Sequence, residues 1–385
     1  MTARKPALHG VRILDLSRVL AGPWCTMTLA DLGADVIKIE NPAGGDETRT
    51  WGPFRNGESA YYFCANRNKR SVAVDFTTAE GQATLRALAR HCDVVVENFK
   101  AGALARYGLD YDSLRGLRPD LIYCSVSGYG RDSPLAARPG YDYVVQAEAG
   151  MMAITGEPGG EPMKAGVAVA DLFTGMYAVQ AILAAIVARR NDGQGQFIDM
   201  ALFDCQLAML ANVASACLVT GEEPRRYGNA HASVVPYQVL PTADARIVLA
   251  VGNDRQFRLL CEQVLERPDL ARDGRFTTNA ARIEHREELM ALLGELFRTR
   301  PAGEWQPRLA RAGIPNGSVR SVGAALASQE ARARGMVTTV EHPTMGPVRM
   351  LASPIRLGGT PVRTPSAPPL LGQHTDEVLR EFGIG

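Results

Sequence analysis

The sequence predicts an α/β protein with a mostly parallel sheet and a second, smaller α+β domain. The chain has 385 residues. A single hydrophobic core rarely supports a chain of this length, so two domains are expected. Strand and helix patterns alternate up to about residue 205, which is typical of a parallel sheet with crossover helices. After Gly221 the pattern changes to hairpins and consecutive helices.

The first elements form a βαβ unit. Val11–Ser17 has the apolar pattern of a strand, and Pro23 suits the first turn of the helix that follows. Gly33 suits the position just after the end of that helix. Asp35–Glu40 is then the second strand. Such units wind right-handed and place their two strands parallel in one sheet.

Three further strands are predicted in the same domain, at Ser71–Phe76, Asp93–Val96 and Leu121–Ser127. Thr77 is expected to begin a helix after the first of them, because Glu80 follows it at the spacing of a capping box.

The segment after Gly221 is predicted to begin with an antiparallel hairpin of Tyr237–Leu240 and Arg246–Val251. Helical stretches follow at Asp254–Glu266, Glu284–Arg298 and Ala302–Arg311. The remaining features are a second hairpin, an extended proline-rich segment and a last helix, at Val337–Met350, Pro361–Pro369 and Thr375–Phe382.

Composition excludes several classes of protein. The apolar fraction is 46% and the charged fraction 22%, close to the averages of globular proteins, so disorder and fibrous folds are not expected. The formal net charge is +1, which indicates no nucleic acid partner. The longest apolar stretch, near Ala178–Ala188, is too short for a bilayer and predicts a buried helix. The N-terminus lacks the apolar core of a signal peptide.

Cysteines and histidines lack the spacing of structural sites. No two cysteines form a C-x-x-C pair and no two histidines an H-x-x-x-H pair, so we expect reduced thiols, no metal site and a cytoplasmic location. The phosphate-binding strings GxxxxGK[ST] and, after the first strand, GxGxxG are also missing. The seven cysteines are Cys25, Cys64, Cys92, Cys124, Cys205, Cys217 and Cys261.

The string KAGVAVADLFTG at Lys164–Gly175 is the most informative for chemistry. An apolar, strand-like run ends at Asp171, and an apolar helix begins there. The free N–H groups and the dipole of a helix N-terminus would keep this carboxylate ionised. They could also stabilise an oxyanion beside it. The alternative is that Asp171 serves only as an N-cap.

Eight strings in order resemble the class III CoA-transferases, the CaiB/BaiF family, and together they span nearly the whole chain. They are GVRILDLSRVLAGPWCTMTLADLGADVIKIENPAGGDETR, NRNKRSVAVDF, DVVVENFKAGALARYGLDY, LIYCSVSGYG, PGYDYVVQAEAGMMAITG, GVAVADLFTG, GQGQFIDMALFD and PPLLGQHTDEVL. The strings GDETRTWGPF, RRYGNAHASVVPYQ and GNDRQF are most like the branch that acts on succinate and glutarate or hydroxymethylglutarate. The resemblance therefore implies succinyl-CoA as donor and a dicarboxylate such as glutarate as acceptor.

The resemblance also implies an architecture. A Rossmann-like large domain is formed by both chain ends, a small α+β domain is inserted, and two chains interlock as a homodimer. With the element pattern, the expected segments are a CoA-binding large domain over 1–205, a linker helix over 206–225, the small domain over 226–325 and a return segment over 326–385.

In this family the aspartate of the ADxxxG string is the nucleophile, which implies that role for Asp171. It forms mixed anhydrides and an aspartyl-CoA thioester. Coenzyme A and acyl-CoA are substrates, and no cofactor is permanently bound. The CoA contacts of the family fall here on Val19, Leu20, Ala21, Val74, Asn98, Phe99 and Arg106. For Phe99 and Arg106 the alternatives are a core aromatic and a solvated surface arginine.

Tyr141 matches an active-site tyrosine of the transferases. The related α-methylacyl-CoA racemases, the main alternative, carry a histidine there, because deprotonating a carbon needs an acid/base pair around it. A tyrosine with its ordinary pKa near ~10 is a poor partner for that step. Tyr141 thus favours transfer over racemisation, and the intact Asp171 string argues against a protein that only binds CoA.

A dicarboxylate substrate leaves a distal carboxylate to be bound, and four cationic residues lie in the branch-like strings. They are Arg49, Lys164, Arg226 and His231. Each is a candidate for holding that carboxylate, with a surface charge as the alternative. Gly252 and Asn253 are candidates for a loop that covers the substrate. Their alternative is an ordinary turn in which Asn253 caps a helix.

Overall fold

A computed structural model describes residues 4–384 of the chain and divides them into two units. The first unit contains the residues up to Met152, Lys164–Glu223 and the residues from Gln329 onward. The second contains Ala153–Met163 and Pro224–Ser328. Ala153–Met163 belongs to the second unit, whereas the sequence predicts it in the large domain.

The described part of the chain up to Glu223 alternates strands and helices, with short 3₁₀ turns at Glu47–Thr50 and Ala105–Tyr107. In chain order the elements are β1 (Arg12–Asp15), α1 (Ala21–Asp31), β2 (Asp35–Glu40), β3 (Phe54–Arg55), β4 (Glu58–Ser59), α2 (Ala60–Ala65), β5 (Lys69–Ala73), α3 (Ala79–Ala89), β6 (Val94–Glu97), α4 (Tyr111–Arg115), β7 (Ile122–Ser127), α5 (Asp142–Glu148), α6 (Met151–Ile154), α7 (Val169–Asp192), β8 (Phe197–Ala201), α8 (Leu202–Met209) and α9 (Ala211–Thr220).

The parallel sheet predicted from the alternation is confirmed. Its strands lie in the order β5-β2-β1-β6-β7-β8, and each neighbouring pair is parallel. Chain direction across the sheet reverses between β1 and β6, and ligands of open α/β sheets bind beyond the strand ends at such a reversal. The strands are apolar on both faces, as covered parallel strands require, so the core lies above and below the sheet.

Helix α7 is buried on one side only. Ala178 and Ile182 are buried where the helix packs against α1, whereas Val187 is 58% exposed. The expected burial of this helix is therefore confirmed on one face only, since apolar residues such as Val187 on the far face stay exposed among the described residues. Of the described residues, α7 by itself and the bent pair α8–α9 are apolar and long enough for a membrane span, a property shared by core helices of soluble proteins.

Two local predictions are also corrected. The N-cap of α3 is Thr78, whose side chain accepts from the Gly81 N–H, so the cap lies one residue after the predicted Thr77. The strand predicted to end at Asp171 is not formed, since the segment from Lys164 is irregular and α7 begins at Val169.

The second unit contains a three-stranded antiparallel sheet beside short helices. Its elements after Pro224 are β9 (Tyr237–Pro241), β10 (Arg246–Ala250), α10 (Asp254–Leu259), a π-helical turn (Leu260–Val264), α11 (Pro268–Arg272), α12 (Asn279–Glu284), α13 (Arg286–Phe297), α14 (Ala302–Arg311), β11 (Asn316–Ser318) and α15 (Val322–Leu326). The predicted hairpin is β9–β10, paired in antiparallel register. Its core is a separate apolar cluster.

The chain then returns to the first unit. This part contains α16 (Gln329–Ala333), the hairpin β12 (Val337–His342) and β13 (Gly346–Leu351), and α17 (Thr375–Glu381). The His374 N–H donates to the Ser71 carbonyl at 2.9 Å, and the Ala73 N–H donates to Thr375 Oγ1 at 3.0 Å. The returning segment thus covers the edge strand β5, which would otherwise expose unpaired backbone groups.

Candidate active site

A pocket of about 190 Å³ lies at the carboxyl edge of the sheet, at the reversal between β1 and β6. Its walls come from the segments that follow β1, β6 and β7 and from the first turn of α7. It brings together seven of the predicted catalytic and CoA-contact residues, which are Val19, Leu20, Ala21, Asn98, Phe99, Tyr141 and Asp171. These residues are far apart in sequence, and the parallel topology makes them neighbours.

The carboxyl group of Asp171 does not cap its helix. Ala168 occupies the N-cap of α7 and makes no side-chain cap bond. Instead, Asp142 of α5 reaches across, and its Oδ1 accepts from the Ala170 N–H at 2.8 Å. The Gln146 side chain donates to Asp142 Oδ2 at 2.7 Å and holds this carboxylate in place. The N-cap alternative for Asp171 is therefore wrong, since another residue performs that role.

Electrostatics at Asp171 are opposite to the direction expected. Its pKa is raised from 3.8 to about 7, first because the carboxyl is removed from water and second because the Asp142 carboxylate lies nearby. The helix N-terminus, which the sequence analysis expected to keep Asp171 ionised, is already neutralised by Asp142. The carboxyl group is thus poised to exchange its proton near neutral pH, where a more basic carboxylate is also a better nucleophile.

Tyr61 lies outside the residues that line the pocket but interacts electrostatically with Asp171, and nothing in the sequence predicts this. It lies on α2, and its pKa is raised to about 12 by burial and by the charges of Asp171, Cys64 and Asp142. The Trp51 ring packs edge-on against it with the centroids 5.1 Å apart. The phenol is therefore neutral at physiological pH, within electrostatic range of the Asp171 carboxyl. The sequence does not distinguish Tyr61 from the adjacent Tyr62, which is buried in the core and stacks with Arg49.

Tyr141 lines the pocket at the N-cap of α5 and is 63% exposed. The segment that carries it crosses the end of β7 at two glycines. A Cβ on Gly140 would lie 2.4 Å from the Cα of Gly128, so no larger residue fits at this crossing. This close approach sets the position of Tyr141 and Asp142 relative to the sheet.

Val74 and Arg106, the other two predicted CoA contacts, do not line the Asp171 pocket. Val74 is buried just after β5, and its N–H donates to the Glu40 carbonyl. The Arg106 guanidinium lies 4.6 Å from the centre of the Tyr107 ring. Tyr107 belongs to an aromatic group with Phe76 and Phe99, and those two rings line a second pocket of about 300 Å³ beside the first.

The predicted carboxylate-binding residues are mostly engaged elsewhere. The Arg49 guanidinium binds both oxygens of Glu40, at 2.7 and 2.8 Å, and stacks on Tyr62, so its charge is already compensated. Lys164 is exposed and donates to the Ala165 carbonyl at 3.2 Å. Neither residue lines the Asp171 pocket. The cations that do are Arg18, Lys100 and Arg138.

The other four substrate candidates belong to the second unit. Arg226 donates to the Ala153 and Gly160 carbonyls at 3.2 and 2.7 Å, which ties together two segments of that unit. His231 accepts from the Ser233 N–H through Nδ1 at 3.0 Å.

Gly252 and Asn253 form the start of α10 in a reciprocal arrangement. Asn253 Oδ1 accepts from the Gln256 N–H, and the Gln256 side chain accepts from the Gly252 N–H. This geometry favours the capping alternative over a mobile cover.

Comparisons with known proteins identify the family of this chain. A family model described as CoA-transferase family III matches residues 8–375. The succinate–glutarate CoA-transferase of Agrobacterium fabrum is 48% identical over 394 residues, with 99% of this chain and 97% of that protein covered. The human succinyl-CoA:glutarate CoA-transferase is 42% identical, with 97% and 85% covered. A CaiB/BaiF family protein from Brucella suis has a similar crystal structure, with a TM-score of 0.88, 44% identity and coverage of 98% and 100%. The chain therefore belongs to CoA-transferase family III.

Proposed function

We propose that this enzyme transfers coenzyme A from succinyl-CoA to glutarate or a closely related dicarboxylate, with Asp171 as the nucleophile. The names of the relatives that are 48% and 42% identical support the substrates. The observation that carries the mechanism is the position of Asp171. Its carboxyl caps nothing, titrates near neutrality and shares a pocket with the residues that resemble the family's CoA contacts.

The first half of the reaction loads the enzyme. An Asp171 carboxylate oxygen attacks the thioester carbonyl of succinyl-CoA, the C–S bond breaks, and a mixed anhydride and CoA thiolate result. The thiolate then attacks the Asp171 carbonyl carbon, succinate leaves, and an aspartyl-CoA thioester remains. No proton is consumed, because each attacking and leaving group is an anion.

The second half runs in reverse with the acceptor. A glutarate carboxylate attacks the aspartyl thioester and forms a second anhydride with release of thiolate. The thiolate takes the glutaryl group and restores the Asp171 carboxylate. Each attack places negative charge on a carbonyl oxygen. The N–H groups of Leu20 and Ala21, at the pocket-lining start of α1, have no partner within that helix and suit this charge.

The distal carboxylate needs a cation. Of the four candidates Arg49, Lys164, Arg226 and His231, we favour Lys164, because it belongs to the same unit as Asp171 and, unlike Arg49, forms no ion pair with another described residue. Lys164→Met should raise KM for a dicarboxylate acceptor more than for a monocarboxylate of equal length. Lys100→Met, at a cation that lines the pocket, is the matched comparison. Equal changes in KM for both acceptor types would exclude Lys164 from this role.

The decisive experiment is a panel of carboxylic acids with succinyl-CoA, followed by mass spectrometry of the acyl-CoA products. Wild type should form glutaryl-CoA or a close homologue, and Asp171→Ala should form none. Asp204→Ala is the control, because Asp204 occupies the first turn of α8 as Asp171 does that of α7 but lies outside the pocket. Solvent deuterium at the α-carbon without an acceptor would instead indicate a racemase.

We further propose a cytosolic homodimer whose chains interlock, with the first unit as the CoA-binding part. The resemblance to the family supports the interlock. Apolar side chains left exposed on consecutive helices of the first unit support a partner surface. They are Met176, Val187, Leu207, Leu218 and Val219.

A further inference from the structure

The loop between β1 and α1 holds Val19 in a conformation that valine rarely adopts. Its φ is 68°, in the left-handed region where a branched side chain crowds the backbone. Strained residues of this kind persist only where the surroundings hold them, and they cluster at functional sites. Val19 lines the Asp171 pocket. Whatever holds its backbone therefore also holds one wall of that pocket.

Asp46 contacts the strained backbone directly. Both of its carboxylate oxygens accept from the Val19 N–H at 3.2 Å. The same carboxylate accepts from the Thr48 N–H at 3.0 Å and from Thr48 Oγ1 at 2.8 Å. Burial acts to raise the pKa of Asp46, but the Lys38 ammonium and the Thr48 hydrogen bonds lower it to about 2. The group is thus a permanent anion at this position.

Lys38 binds both Asp46 and the loop backbone. Its Nζ donates to Asp46 Oδ2 at 2.9 Å and to the Ser17 carbonyl at 2.9 Å, and neither charged side chain is exposed at all. The pair therefore binds the loop backbone on both sides of Arg18, at the Ser17 carbonyl and at the Val19 N–H. A buried ion pair is often no more stabilising than an apolar pair of the same volume, so stability alone does not account for it.

Asn98 binds the backbone of Arg18, the residue between these two contacts. Its Oδ1 accepts from the Arg18 N–H at 2.9 Å, and its Nδ2 donates to the Arg18 carbonyl at 2.7 Å. Both backbone groups of Arg18 are thus hydrogen-bonded, and the next backbone group along the loop is the Val19 N–H. The hydrogen bond to Asp46 fixes that group.

We propose that Asp46, paired with Lys38, is a positioning residue of this transferase: it holds Val19 in the left-handed conformation and so keeps Leu20 and Ala21 in place against the acyl-CoA. The proposal rests on the proposed function, because its main test is the transfer reaction. Asp46 touches no reacting atom and acts through the backbone of Val19.

The test replaces both charges by apolar groups, in Lys38→Met/Asp46→Leu. The fold should persist, but kcat/KM for succinyl-CoA should fall by roughly tenfold or more, because the pocket wall is displaced. Asp31→Asn is the matched control. Asp31 forms a buried ion pair with Arg67 in the same unit but does not line the pocket, so this variant should lose stability while kcat/KM stays within about twofold. A folded double variant with wild-type kcat/KM would overturn the proposal.

A second measurement separates positioning from a general effect on folding, and it holds even if the apolar pair fails to fold. Asp46→Ala, which leaves no side-chain acceptor for the Val19 N–H, is made alone and in the Val19→Gly background, where glycine adopts the left-handed conformation without strain. Its loss of kcat/KM should be roughly tenfold in the Val19 chain and less than about threefold in the Val19→Gly chain. Equal losses in both would overturn the proposal. If wild type itself transfers CoA to no acid, the proposed function fails, and not this inference alone.

Discussion

At the scale of the residue, Asp171 shows how two carboxylates divide the work of one site. Asp142 takes the favourable position at the start of α7, where it accepts the Ala170 N–H. Asp171, in the same turn, is left with burial and a like charge, and both raise its pKa. The proposed nucleophile is thus a carboxyl group that the protein keeps basic instead of one that it stabilises as an anion. Two predictions follow from this division.

The pH dependence of transfer should report the Asp171 carboxyl. Since its pKa is raised to about 7, kcat/KM should fall as pH decreases below about 7, because the protonated form cannot attack. Asp142→Asn should lower the apparent pKa, because one negative neighbour is removed while the amide oxygen can still accept from Ala170. Profiles of both enzymes from about pH 5 to about pH 9 test this. An unchanged apparent pKa in Asp142→Asn would contradict it.

Stability should depend on pH in a way that Asp171→Asn removes. The carboxyl pKa rises from 3.8 in the unfolded chain to about 7 in the folded one. Between those values the folded protein holds a proton that the unfolded chain releases, so stability falls as pH rises through this window. Asp171→Asn should therefore be more stable than wild type at about pH 8, with the difference vanishing near about pH 4. Denaturant unfolding at both pH values measures the free energy of unfolding of the two proteins. The same change of this free energy with pH in wild type and in Asp171→Asn would contradict the prediction.

At the scale of the element, the site depends on how closely α7 approaches α1. Gly175, one turn after Asp171, makes this approach possible, because a Cβ there would lie 2.7 Å from the Ala21 carbonyl oxygen. Trp24 lies 3.2 Å from the same point. One helix contact therefore sets the positions of both Asp171 and the opposite pocket wall, and this contact requires a glycine.

Gly175→Ala should thus both destabilise the protein and slow the reaction. In an open helix position the same change stabilises by up to ~1 kcal/mol, whereas here the backbone contact should cost ~1–3 kcal/mol and displace Asp171. Gly294→Ala on α13 is the control, because its added Cβ would meet only the Arg298 side chain at 3.5 Å. Thermal unfolding and kcat/KM of both variants measure it. A stabilised and fully active Gly175→Ala would show that the helices can separate without harm.

At the scale of the whole molecule, apolar surface remains where the first unit has no covering element. Leu218 and Val219 on α9 are 86% and 85% exposed. Monomeric proteins rarely expose neighbouring large apolar side chains on consecutive helices. This surface is consistent with the proposed dimer and explains why α7 to α9 are apolar beyond the needs of their own core.

The enzyme should therefore behave as a dimer whose folding and association are coupled. Light scattering should give twice the chain mass of 41.5 kDa, and Tm should increase with protein concentration, because dissociation accompanies unfolding. Leu218→Glu/Val219→Glu should lower Tm by placing charges in the interface. A monomeric mass with a concentration-independent Tm would refute the dimer.

The sequence by itself determined the parallel sheet, the β9–β10 hairpin and the place of Asp171 in the first turn of an apolar helix. Apolar periodicity and turn residues act between near neighbours in the chain, so a single sequence carries them. The string around Asp171 is also made of consecutive residues, and its resemblance to the family predicts that Asp171 is the nucleophile. Element ends were less certain, as at Thr77 and Thr78, because capping depends on which hydroxyl meets the free N–H groups.

Only the tertiary structure decided what surrounds the nucleophile. Tyr61 and Asp142 come from other elements, and no spacing in the sequence relates them to Asp171. Arg49 fitted a carboxylate clamp by its charge, but folding pairs it with Glu40. The raised pKa of Asp171 likewise follows from burial and from a carboxylate on another helix. Contacts between residues distant in the chain exist only once the sheet has brought them to a common edge, and this is why the sequence singled out Asp171 but not the groups that raise its pKa.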